Sequence, residues 1–157
     1  MGWFSLSWHA LRRLIQRNQA KSVSDVRRIL KAASGWMSVA VLTLHRGSFM
    51  VPVADGFVCC GMDVSVKDGT NGGEKFKLGL IRTFIGLDDM KPETYKVWSK
   101  LVALGVLENG PRCLALHNEL VSPDLSAAPP YIRQVFRIMA DEGKKWDARF
   151  EHWRATR

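Results

Sequence analysis

Apolar side chains at Val58, Cys60, Met62, Val64 and Val66 alternate with their neighbours without a fault, the period of two that marks a β-strand. Earlier in the chain the period changes. Val26, Ile29, Leu30, Ala33 and then Trp36-Met37 recur at helical spacing, with Arg27, Arg28 and Lys31 turned outward. Ser22 or Ser24 suits the cap of this helix, and Asp25 stands in its first turn, where the helix dipole favours negative charge. Gly35 stands where a C-terminal cap is expected. The opening Trp3 to Ala10 fits two patterns. As a strand it lines up Phe4, Leu6, Trp8 and Ala10; as a helix continuing to Arg17 it makes a stripe of Phe4, Trp8, Leu11 and Ile15, with Arg12, Arg13, Gln16 and Arg17 mostly opposite. Periodicity leaves both open.

A strand-rich middle follows. Val39 to Leu44 is β-branched and apolar, Arg46-Gly47-Ser48 reads as a turn, and Phe49 to Val53 as a strand that Pro52 confines to an edge or a bulge. Asp55-Gly56 is a hairpin signal, and residues 68–73 form a Gly-rich loop. Phe76, Leu78, Leu80 and Phe84 predict a further strand, with Arg82 the exception on that face. Pro92 then suits a first helical position, Tyr95, Trp98, Leu101 and Val102 make the buried stripe, and Gly105 ends the helix. Val106-Leu107 and Cys113 to Leu116 flank Asn109-Gly110, a second hairpin signal, and Ser126 to Pro130 is a loop. Tyr131, Val135, Ile138 or Met139, Trp146, Phe150 and Trp153 mark a long terminal helix with Gly143 as a point of interruption. The expected architecture is α+β, a mainly antiparallel twisted sheet packed by helices, with an additional C-terminal helix over 130–153. The 157 residues suit one domain with a core of its own.

Charge divides this domain unevenly. Of a net charge of +8, a surplus of six falls between Met1 and Lys31, where Arg12, Arg13, Arg17, Lys21, Arg27, Arg28 and Lys31 face a single acid, Asp25. The remaining chain is nearly neutral. A basic front end beside Trp3, Phe4 and Trp8 points to an anionic membrane surface or to RNA, and charge alone does not choose between them. The bland alternative is that these cations only solvate the outer faces of two helices, with the tryptophans in the core. No segment approaches the ~20 apolar residues of a membrane span. Arg12 and Arg13 cut short any secretory signal, and three cysteines without a pairing pattern suit a reducing compartment. Gly2 could accept a myristoyl chain, but Leu6 occupies the place where that signal wants Ser or Thr.

Candidate chemistry is sparse. Cys59 and Cys60 are strand neighbours that point to opposite faces, and Cys113 with His117 supplies two of the about four ligands that zinc needs. Asp88-Asp89 reads as a capping cluster ahead of Pro92, and the 68–73 loop lacks the Gly-Lys-Ser/Thr ending of a phosphate-binding loop. No catalytic residue, cofactor or metal is expected, and the reading is non-enzymatic.

The order of these features resembles that of rhabdovirus matrix proteins of the vesiculovirus type. Ser24-Asp25-Val26 opens a helix reaching Trp36-Met37; Asp55-Gly56-Phe57-Val58 leads into Met62-Asp63-Val64-Ser65-Val66-Lys67-Asp68; and Tyr95-Lys96 leads to Leu104-Gly105-Val106-Leu107-Glu108. These stretches cover about two thirds of the chain. Pro129-Pro130-Tyr131 lacks the spacer of the family's Pro-Pro-x-Tyr budding motif, a long basic leader is missing, and the terminal helix looks like an addition. The resemblance implies a structural protein that self-associates and links viral ribonucleoprotein to the inner face of a host-derived membrane. It would be found in the virion, the host cytoplasm and the host nucleus. The alternative is a small basic viral accessory protein that binds RNA or a host factor.

Overall fold

The elements in chain order are β1 (Gly2–Leu6), α1 (Trp8–Gln16), α2 (Val23–Thr43), β2 (Gly47–Val53), β3 (Gly56–Val66), β4 (Lys75–Gly86), a 3-10 turn (Leu87–Asp89), α3 (Pro92–Ala103) and α4 (Pro130–Ala155). They are drawn from a computed structural model that describes residues 2–16, 20–43, 46–66, 75–108 and 130–156. The strands form one sheet in the order β1-β4-β3-β2. The alternating strand β3 is interior, antiparallel to both β2 and β4. The sheet is mixed, because β1 runs parallel to β4, with Phe4 opposite Gly79. Pro52 sits on the outer strand β2, where its missing N–H interrupts no second ladder. Residues 48–53 and 56–62 are buried at every position, so β2 and β3 as far as Met62 are covered on both faces.

The cover comes from helices on several sides. α2 packs against β2, β3 and β4; α4 runs along β2; α1 touches β4; α3 bridges β2 and α4. Trp36, Phe49, Phe57, Phe136, Leu14 and Met139 are among the largest fully buried side chains, and Phe49 meets Phe136 with ring centroids 5.9 Å apart. Trp98 fastens α3 to the β2–β3 turn by donating from Nε1 to the carbonyls of Val53 and Gly56, each at 3.1 Å.

Within the expected strand over Val39 to Leu44, residues 39–43 are instead the last part of α2, and Leu44 lies outside the described residues. Ile29, Ala33, Trp36, Met37 and Ala40 are buried at helical spacing, and this burial outweighs the modest helix penalty of Val39 and Val41. Gly35 accordingly lies inside the helix and is no C-cap. The opening segment combines its two readings, a strand to Leu6 and a helix from Trp8. In α1, however, Ala10 and Leu14 are the buried positions, and the expected stripe through Trp8 and Ile15 faces outward.

Two further expectations are corrected on the later helices. Tyr95 lies on the exposed face of α3, whose buried positions are Thr94 and Leu101. Asp88 and Asp89 belong to the 3-10 turn; the N-cap of α3 is Lys91, and no side chain caps it. Gly105, with φ 78°, does close that helix. α4 passes Gly143 without a break, and the glycine has a packing reason. A Cβ there would strike the Ser48 carbonyl and the Phe49 Cα, so the helix backbone lies directly on β2. The 68–73 loop, the Asn109-Gly110 hairpin, Cys113 with His117 and the loop ahead of Pro130 lie outside the described residues.

Candidate functional site

Ser7 turns the chain from β1 into α1. Its hydroxyl accepts the Ala10 N–H at 3.1 Å as the helix N-cap and donates to the Arg82 carbonyl at 3.0 Å; its own N–H reaches the Ile81 carbonyl at 3.0 Å. The first basic helix is thereby fixed to β4. At its other end the Ala20 N–H returns to the Leu14 carbonyl at 3.1 Å, and Ala20 is buried. Only Lys21 and Ser22 separate Ala20 from Val23, three steps or about 11 Å of chain at full extension, so the start of α2 stands near the end of α1.

That start is a reciprocal cap. Ser22 Oγ accepts the Asp25 N–H at 3.2 Å, while Asp25 Oδ2 takes the N–H groups of Lys21 and Ser22 at 2.9 and 3.1 Å. Of the two serines that could have capped the helix, Ser22 does so. The bonds from the Ser22 side chain and the Lys21 backbone hold the Asp25 carboxyl below its ordinary value of 3.8, and Arg28 at 3.7 Å adds to this.

The result is a row of exposed cations and large apolar groups on each of the two helices. On α1, Trp8, Arg12 and Ile15 follow at positions i, i+4 and i+7 and are all exposed, Trp8 by 77% and Ile15 by 55%. On α2, Val23, Arg27 and Lys31 repeat at i, i+4 and i+8, with Val23 exposed by 71%. Arg28 and Lys21 are exposed as well, and Arg13 is half-buried. Arg17 and the side chains of Trp3 and Phe4 lie outside the described residues. Among the expected contact residues, then, Trp8, Arg12, Lys21, Arg27, Arg28 and Lys31 are exposed, with Arg28 paired to Asp25. Ile15 and Val23 were missed by sequence reasoning. Their exposure follows from which face of α1 meets β4 and from the entry into α2, neither of which periodicity reveals.

A second polar cluster lies deeper. β4 carries one residue more than β3 opposite it, since Cys59 pairs with Thr83 and Cys60 with Ile81, and the extra residue is Arg82. The bulge also moves Phe84 to the face of Ile81, away from Leu80. Arg82 Nη1 donates to Ser48 Oγ at 2.8 Å and to Asp147 Oδ1 at 3.3 Å; Ser48 in turn donates to Asp147 through Oγ at 2.6 Å and through its N–H at 3.0 Å. The Asp147 carboxylate that accepts from the Ser48 hydroxyl is itself paired with Arg82, and together the three side chains clamp β2, β4 and α4. Cys59 and Cys60 are buried, and desolvation pushes both thiols well above the usual range, away from the reactive thiolate form.

Among the described residues no group of three or more His, Cys, Asp or Glu side chains could hold a metal ion, and no helix is long and apolar enough to cross a membrane. No protein-family model, curated protein or solved structure matches the chain.

Proposed function

We propose that this chain is a non-enzymatic, matrix-like viral protein that docks on the anionic inner face of a host-derived membrane through α1 and the start of α2. In this reading it self-associates there and links the membrane to viral ribonucleoprotein. The observation that carries the membrane half is the interleaving of Trp8, Ile15 and Val23, three of the most exposed large apolar side chains among the described residues, with Arg12, Lys21, Arg27 and Lys31. An anionic leaflet attracts each nearby cation by about 1 kcal/mol, and the apolar groups gain further by leaving water for the acyl boundary. RNA would use the same cations. It offers stacking partners for Trp8 but none for aliphatic Ile15 and Val23, whose exposure favours lipid.

Co-sedimentation with vesicles tests the reading. Binding should require anionic lipid, weaken with salt, and fall in Ile15→Gln and Val23→Gln as well as in Arg12→Gln and Arg27→Gln. If RNA is the partner, the arginine variants lower the salt slope of RNA binding while the two aliphatic ones change nothing. Equal binding to neutral and anionic vesicles would overturn the membrane half.

A further inference from the structure

Between Trp8 and Lys31 the side chains that carry charge are arginines, lysines, Asp25 and His9. Arginine and lysine stay protonated from about pH 5 to 8. Asp25 stays ionised there, because Ser22 and the Lys21 backbone hold its carboxyl below its ordinary value. The exception is His9, since imidazole is the side chain that ordinarily changes its charge between about pH 5 and 8.

His9 lies two residues after Ser7, the cap of α1, and is exposed. The exposed positions of this helix are Trp8, His9, Arg12, Ile15 and Gln16, which at about 100° per residue share one arc of about 120°. The imidazole thus stands at the rim of the face that carries Trp8, Arg12 and Ile15. Within one helical turn it faces Arg12 and Arg13, at i+3 and i+4, and the positive start of the helix itself. α1 packs on β4, whose charged residues are Lys75, Lys77 and Arg82. Arg82 is turned to Ser48 and Asp147, and the side chains of Lys75 and Lys77 lie outside the described residues. Lys21 and Asp25 follow beyond the far end of α1. The helix has no acid of its own, and an anionic leaflet supplies the opposite charge that it lacks.

We infer that His9 makes the docking of α1 on an anionic membrane acid-sensitive, adding a seventh positive charge to the surplus of six before residue 32 when it takes up a proton. The inference rests on the membrane reading above and names a regulation of that same surface. Docking and proton uptake support one another, because a surface that binds the protonated form more tightly also draws protons onto it. One added charge near an anionic leaflet strengthens binding about fivefold.

The full chain is co-sedimented, at about pH 7.5 and about pH 5.5 and constant ionic strength, with phosphatidylcholine vesicles containing phosphatidylglycerol, whose phosphodiester keeps its charge across the range in which imidazole titrates. The wild type is expected to bind about fivefold more tightly at the lower pH. His9→Gln should bind alike at both, and His9→Lys should bind at both as the wild type does in acid. His152→Gln, which removes an exposed histidine of α4, should keep the fivefold difference. An unchanged thermal transition at both pH values shows that the His9 variants are folded. Wild-type binding that is equal at the two pH values overturns the inference and leaves the membrane reading standing, and so does a pH difference that survives His9→Gln. Absence of binding to these vesicles at either pH overturns the membrane reading and the inference with it.

Discussion

Arg82 reaches across a neighbouring strand to Ser48, placing Nη1 2.8 Å from its Oγ. The two residues sit on β4 and β2, with β3 between them, and strands lie about 4.8 Å apart. The path is open because residue 61 is glycine. A Cβ at Gly61 would collide with the Arg82 guanidinium. Asp147 from α4 receives both, so one partly exposed cluster ties the sheet to the C-terminal helix.

Ser48→Ala removes the 2.6 Å bond to Asp147 and the acceptor for Arg82. The expected loss is about 1–2 kcal/mol, the range for a hydrogen bond to a charged group near solvent. Urea unfolding should show a lower midpoint with an unchanged slope.

Gly143→Ala separates local propensity from packing. In an isolated helix the change would stabilise by about 1 kcal/mol. Here the new methyl meets the backbone of Ser48 and Phe49, which cannot swing aside. The net effect should be destabilising by about 1–3 kcal/mol, as overpacking generally is. A raised thermal midpoint in this variant would contradict the seating of α4 on β2.

The Asp25 cap makes the start of α2 sensitive to acid. The folded carboxyl titrates below its ordinary value of 3.8 because Ser22 and the Lys21 backbone donate to its charged form. Its contribution is therefore complete above that ordinary value and lost as the pH falls through the lower folded one. The difference in thermal midpoint between wild type and Asp25→Asn should be constant from pH 7 to about 5 and shrink below about 4. A difference that grew on acidification would refute the cap.

Burial should silence the paired cysteines. In a Cys113→Ser background, Cys59 and Cys60 are expected to resist an aromatic disulfide reagent at pH 8 and to react together on unfolding in denaturant, because both thiols are buried and desolvation keeps them protonated. Rapid labelling of the folded chain would show that β3 is not covered on both sides.

How much was legible depended on whether a signal was local. Ser22, Pro92 and Gly105 mark helix ends through their own backbone chemistry, and each sits where that chemistry belongs. Pro52 on the outer strand and the turn before Gly56 are equally local, since a missing N–H and a tight reversal need no distant partner. The candidate surface was half legible. Its cations and Trp8 could be read along the chain, but the exposure of Ile15 and Val23 could not.

What the sequence by itself determined was the class, an α+β chain with its excess positive charge at the front, because composition and period are properties of neighbouring residues. Only the tertiary structure decided that α2 runs on through the β-branched Val39, that β1 joins β4 in parallel, and that Arg82 is the extra residue of a bulge. It also decided which face of α1 is wet. Each of these turns on burial against elements tens of residues away, a free energy larger than the local preference it overrides.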